Sequence, residues 1–179
     1  MFYDKEIINK IKNNQCLTIG ELKKIRDYLN LECEIIPFND INYNNKLPKI
    51  ILLQKDLNNE LLPLGHFICY FIKDNILYYF DSSDGSKPLE LQKTYNISTK
   101  LQPLDNFYNF LKQYKLDYFN MKLQEKNSSN CGIQCILRLI NMDLTNDEYK
   151  EYLKYIKEKY NFKTYDNLIN NLILLYLEN

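Results

Sequence analysis

The 179-residue chain has no tryptophan, a single histidine, four glycines and five prolines. So few glycines and prolines leave little material for tight turns, which excludes a turn-dense small β-sandwich. Excess charge is missing too: Lys+Arg and Asp+Glu both number 23, for a formal net charge of zero. No bulk field therefore favours nucleic acid or an anionic membrane as a partner. No apolar run approaches the roughly 20 residues that cross a bilayer. The N-terminus, Met1-Phe2-Tyr3-Asp4-Lys5-Glu6, lacks the apolar core of a secretory signal. Five cysteines, an odd number, then imply an intracellular, reducing setting with thiols rather than a disulfide framework. Cys16, Cys33 and Cys69 are scattered singly, so neither a zinc site nor another metal or cofactor is expected.

Hydrophobic residues make up 45% of the chain, enough to fill one core, so residues 1–179 read as a single domain. Ile7, Ile8 and Ile11 give residues 4–13 helical spacing. Thr18-Ile19-Gly20-Glu21 and Thr145-Asn146-Asp147-Glu148 are capping boxes that start two further helices. Residues 49–53 read as a buried strand, and 66–72 and 76–81 as a hairpin broken at Lys73-Asp74-Asn75. Residues 104–115 look helical, 117–123 look like a strand, and 131–141 form a helix with an Ile133, Ile136, Leu137, Ile140 stripe. The next helix runs to about Tyr160, and a last one starts near Tyr165. Lys154, Lys157 and Lys159 are interleaved with Glu148, Glu151 and Glu158, as on a solvated face. Helices, then strands, then helices predict an α+β fold with a central mixed sheet.

The chemistry concentrates in three distant stretches. His66 opens the first strand of the hairpin, and Asp81 closes the second before the Ser82-Ser83-Asp84-Gly85 turn. A hairpin brings its open ends together, so the Asp81 carboxylate can accept from the imidazole and fix its tautomer. Asp84, directly before Gly85, reads as the turn residue. The polar run Gln124 to Asn130 leads into Cys131-Gly132, the first turn of an apolar helix. Unpaired N–H groups and the helix dipole favour a thiolate there, the more so beside a histidine. Gly132 would let another chain come close. Cys135, one turn on, belongs with the core. Gln124 ends the preceding strand, where an amide beside the Cys131 N–H could serve a developing oxyanion.

Gly65-His66-Phe67, Tyr79-Phe80-Asp81, Gln124 and Asn130-Cys131-Gly132, in that order, resemble the adenovirus-type maturation proteases. These form an adenain-like branch of the ubiquitin-like-protein-protease clan with relatives in viruses and virophages, and the likeness spans about residues 47–141. It implies a papain-like, ubiquitin-like-protease-type α+β fold with the nucleophile at a helix N-terminus. It also implies His66 as general base, Asp81 as its orienting partner, Gln124 in the oxyanion hole and Cys131 as nucleophile. Relatives cut capsid or core precursors after small residues, often Gly-Gly. Protein substrates, a monomer, and a place in the virion and infected-cell cytoplasm are the matching expectations. The wealth of Asn, Lys, Ile and Tyr fits an AT-rich viral genome. Phe67 stands where relatives commonly carry Trp, and is expected to form the apolar shelf beside the imidazole. The adenovirus enzyme is basic and stimulated by DNA and a short peptide; on this neutral chain a nucleic-acid activator is not expected, and a peptide activator stays open. So do three other readings: a protease that removes ubiquitin- or SUMO-like tags, an acetyltransferase working through Cys131, and a silent binding module.

Overall fold

The computed structural model describes residues 2–58, 60–83, 88–91, 95, 97 and 100–178, with Leu57, Pro63 and Leu64 described by backbone alone. Among the described residues five strands form one mixed sheet in chain order: β1 (Glu34–Pro37), β2 (Lys49–Leu57), β3 (Glu60–Lys73), β4 (Ile76–Phe80) and β5 (Lys115–Tyr118). The outer pairs, β1 with β2 and β4 with β5, are parallel, and the inner pairs are antiparallel. Helices α1 (Lys5–Lys12), α2 (Ile19–Tyr28), α3 (Asp105–Leu111), α4 (Cys131–Ile140), α5 (Asn146–Lys159) and α6 (Tyr165–Glu178) flank it. This is the expected α+β arrangement. No described helix is long and apolar enough to cross a membrane.

Strand alternation splits the core in two. Phe67, Cys69 and Phe71 of β3 and Phe80 of β4 pack under α4 with Leu22, Ile25, Ile133, Leu137 and Ile169. Ile68, Tyr70, Leu77 and Tyr79 face the other way, toward Phe107, Phe110 and Leu111 of α3. Both faces of the hairpin are covered, which is why its strands read as continuous apolar runs. At about 25 cal/mol per Å2 each fully buried Ile, Leu or Phe contributes roughly 1.5–3 kcal/mol, so α4 is anchored firmly. All of it from Cys131 to Leu139 is buried. Even Arg138 is enclosed, lying over the rings of Phe71 (4.7 Å) and Tyr149 (4.9 Å) and donating to the Asn141 and Leu144 carbonyls.

Both capping boxes form, at Thr18 with Glu21 and at Thr145 with Glu148. The hairpin turns at Asp74 and Asn75, whose φ angles of 51° and 60° match a two-residue turn with both central residues left-handed. The expected bounds need correction: β3 begins at Glu60, so His66 lies inside the strand rather than opening it, and β2 runs on past Leu53 to Leu57. The helix over 104–115 stops at Leu111, because Lys115 already pairs with Ile76 in β5. The strand over 117–123 ends at Tyr118: β4 stops at Phe80, and the N–H groups of Leu123 and Gln124 turn instead to the Ser82 carbonyl, both at 2.9 Å. Strand β1 gave no sequence signal, being four residues ending in proline. The turn expected at Asp84-Gly85 lies outside the described residues.

One irregularity matters for the site. Gln54 pairs with Gly65, but Asp56 pairs with Leu61, so β3 carries two extra residues just before His66. Bulges of this kind re-aim side chains beside them. A Cβ at Gly65 would fall 1.9 Å from the Leu53 carbonyl oxygen, so only glycine permits this approach of β3 to β2. Beyond the end of β1 the open edge of β2 is closed by Gln102, whose amide accepts from the Gln54 N–H (3.0 Å) and donates to its carbonyl (2.7 Å).

Candidate active site

The register that pairs Cys69 with Phe80 sets Asp81, if continued, opposite Ile68, two residues from His66 on the same face. Such diagonal neighbours are within side-chain reach. His66 Nε2 lies 2.9 Å from Asp81 Oδ1. The carboxylate side chain is fully buried and the imidazole 14% exposed, so water does little to screen the pair. Asp81 is a turn residue as well: its Oδ1 accepts from the Ser83 N–H at 3.0 Å, with the Ser83 hydroxyl 3.2 Å away. Its Oδ2 accepts from the Tyr95 hydroxyl.

With Nε2 held by Asp81, Nδ1 is the ring nitrogen that remains for Cys131, with which His66 interacts through its side chain. Cys131 is 3% exposed, and its sulfur accepts from the Phe67 backbone N–H at 3.4 Å. It opens α4 behind Asn130, whose side chain does not cap the helix. Asn130 instead donates to Asn170 Oδ1 (3.1 Å) and accepts from Gln134 (2.7 Å) and Ser128 (3.0 Å). No side-chain oxygen from the cap therefore competes with the sulfur for the first-turn N–H groups.

Burial alone would lower the His66 pKa, but the Asp81 carboxylate and the Cys131 sulfur reverse this and push it up to about 10. Burial alone would raise the Cys131 pKa, but His66 and the Phe67 and Gly132 N–H groups bring it below the ordinary thiol value. Asp81, opposed by its own burial, is held below the usual carboxylate value by His66, Tyr95 and Ser83. All three directions favour a thiolate–imidazolium pair over a buried carboxylate.

Gln124 lines the same cleft as His66, a cavity of about 730 Å3 that Gly65, Ser83, Tyr95 and Lys122 also border. Its amide donates to the Ser128 carbonyl at 2.7 Å, and among the described residues its Oε1 has no hydrogen-bond partner. The loop from Gln124 to Cys131 is tied down from behind. Asp166 of α6 accepts from the Glu125 N–H (3.0 Å) and from Gln134 (3.1 Å), and the Ser129 N–H donates to the Asn14 carbonyl (3.0 Å).

One expectation changes here. Phe67 is not the shelf beside the imidazole: alternation turns it to the opposite face, into the core under α4, and the ring stacked on His66 is Tyr95, 4.6 Å away between centroids. At Gly132 it is Leu22 of α2 and Phe67 of β3 that come close: a Cβ there would meet them at 2.7 Å and 3.3 Å. Cys135 lies in the core as expected. Tyr95, Ser83 and Asp166 had no sequence signal as site residues. Among the described residues no group of three or more His, Cys, Asp or Glu side chains could hold a metal ion.

The chain matches no family model and no curated protein. Two solved structures are similar in fold. One, described as SUMO protease Ulp1 with the catalytic cysteine oxidized to a sulfinic acid, has a TM-score of 0.46 at 14% identity, over 96% of this chain and 84% of that one. The other is the C-terminal Ulp1 protease domain in complex with Smt3, the yeast ortholog of SUMO, with a TM-score of 0.44 at 13% identity, over 96% of this chain and 82% of that one.

Proposed function

We propose that this chain is a thiol endopeptidase with Cys131 as nucleophile, His66 as general acid and base, Asp81 as the group that orients His66, and Gln124 in the oxyanion hole. The observation that carries the reading is one imidazole held at 2.9 Å by a buried carboxylate while it interacts with the thiol that opens α4. The Cys131 thiolate attacks the scissile carbonyl, and the new C–S bond pushes the carbonyl electrons onto oxygen. The Cys131 N–H and one amide hydrogen of Gln124 stabilise that oxyanion; the other amide hydrogen is held by the Ser128 carbonyl. The imidazolium gives its Nδ1 proton to the leaving amine as the C–N bond breaks, leaving a thioester. Water then loses a proton to the neutral imidazole, adds to the thioester carbonyl and expels the thiolate.

The substrate reading is a viral maturation role on capsid or core precursors, cut after small residues at Gly-Gly-type sites. The ordered motif from Gly65 to Gly132 supports it. The test incubates wild type and Cys131→Ala with Gly-Gly capsid-type peptides, ubiquitin- and SUMO-like tail fusions, and labelled acetyl-CoA. The expected result is internal cleavage of the peptides by wild type and none by Cys131→Ala. Cleavage confined to the tail fusions replaces the maturation role with deconjugation. Stable acetylation of Cys131 without hydrolysis replaces it with acyl transfer. Equal cleavage by Cys131→Ala removes the mechanism altogether.

A further inference from the structure

Tyr95 has no part in the mechanism above, yet it touches two members of it. Its ring stacks on the imidazole with 4.6 Å between centroids and 18° between planes. Its hydroxyl donates to Asp81 Oδ2, on the side of the carboxylate that His66 leaves open. The Tyr95 oxygen in turn accepts from the Ser83 hydroxyl, and the Ser83 backbone N–H returns to Asp81 Oδ1 at 3.0 Å. One hydrogen bond at Nε2 leaves an imidazole free to rock, because its outer torsion has a broad well. A ring lying flat on its face removes that freedom. The electron-rich face of a phenol also favours a cation, so it supports the protonated form in particular. We propose that Tyr95 is a positioning residue that clamps His66 from its face and, through Asp81, along its edge, so that Nδ1 stays aimed at Cys131.

This inference rests on the Cys131–His66 reading, and the test separates the two. His66 is the only histidine in the chain, so its ring nitrogens give the only imidazole 15N signals. These signals are recorded against pH for wild type, Tyr95→Phe, Tyr95→Leu and Cys131→Ala, alongside kcat and KM on a cleaved peptide. In wild type both nitrogens are expected to stay protonated through neutral pH. Tyr95→Leu loses stack and hydroxyl. It is expected to lower kcat about 100-fold, as for a misaligned reacting group, with KM within about twofold. Its 15N signals should move toward averaged neutral tautomers. Tyr95→Phe keeps the ring, is the safer variant for folding, and should lose about 10-fold in kcat with a smaller 15N change. Wild-type kcat and 15N signals in both variants overturn the assignment. A lower kcat with unchanged 15N signals also overturns it, since loss of packing alone would do that. A wild type that cleaves nothing, with imidazole signals unmoved by Cys131→Ala, overturns the underlying enzyme reading instead.

Discussion

The first and second turns of α4 each carry a buried cysteine, and the two thiols have opposite character. Cys131 is drawn below the ordinary thiol value against its own burial, whereas burial drives Cys135 far above it. The helix is the same and both residues are enclosed, at 3% and 0% exposure, so neither burial nor helical setting lowers a thiol's pKa. The difference is what faces each sulfur. Cys131 meets an imidazole and two backbone N–H groups, all of which favour negative charge. Cys135 meets the weakly polar Cys69 thiol, which donates to its carbonyl at 3.8 Å. Cys33, which has Arg26 nearby but no imidazole, is likewise pushed up by burial, to about 12. A thiolate in this core needs its counter-ion and its N–H donors together.

The comparison breaks most sharply at the sulfurs themselves. Cys131→Ala is expected to lose about 10^6-fold in kcat with a native circular dichroism spectrum, since alanine suits an early helical position. His66→Ala should be as inactive. Asp81→Ala should lose about 10^4-fold yet stay measurable in a long-incubation peptide assay, because cysteine, imidazole and oxyanion donors remain. Gln124→Ala should lower kcat about 100- to 1000-fold with little change in Cys131 alkylation rate, separating oxyanion stabilisation from thiolate formation. Cys135→Ala should leave kcat unchanged and cost about 1 kcal/mol in denaturant unfolding, the signature of a small core cavity.

Much of this contrast was readable beforehand. The hairpin turn at Asp74-Asn75, the helix start at Cys131 and both capping boxes rest on local signals: turn residues, alternation, and Thr-x-x-Glu spacing. The start of β3 at Glu60, six residues ahead of His66, carries no such signal. The place of Asp81 beside His66 follows from hairpin closure, itself a local rule. Phe67 was misassigned although period-two alternation alone puts consecutive residues on opposite faces. Tyr95 could not be singled out. It is one of 16 tyrosines and reaches His66 across a separation of 29 residues that no spacing rule encodes. Asp166 reads as an ordinary first-turn acid, and its hold on Glu125 and Gln134 exists only once α6 packs on α4. The strand expected to deliver Gln124 was too long, because the end of β4 limits how far β5 can pair.

The titration of the pair carries a definite sign. As pH falls through the lowered Cys131 value, the thiolate takes up a proton and alkylation slows. As pH rises through about 10, the imidazolium loses its proton, so cleavage loses its acid while the sulfur stays anionic. The most direct measurement is the rate of iodoacetamide labelling at each of the five cysteines between pH 5 and 10.5, mapped by mass spectrometry. The expected result is fast labelling of Cys131 alone at neutral pH and below, persisting above pH 10 where peptide cleavage declines. Labelling of Cys131 that begins only where an ordinary thiol ionises would contradict the thiolate–imidazolium pair.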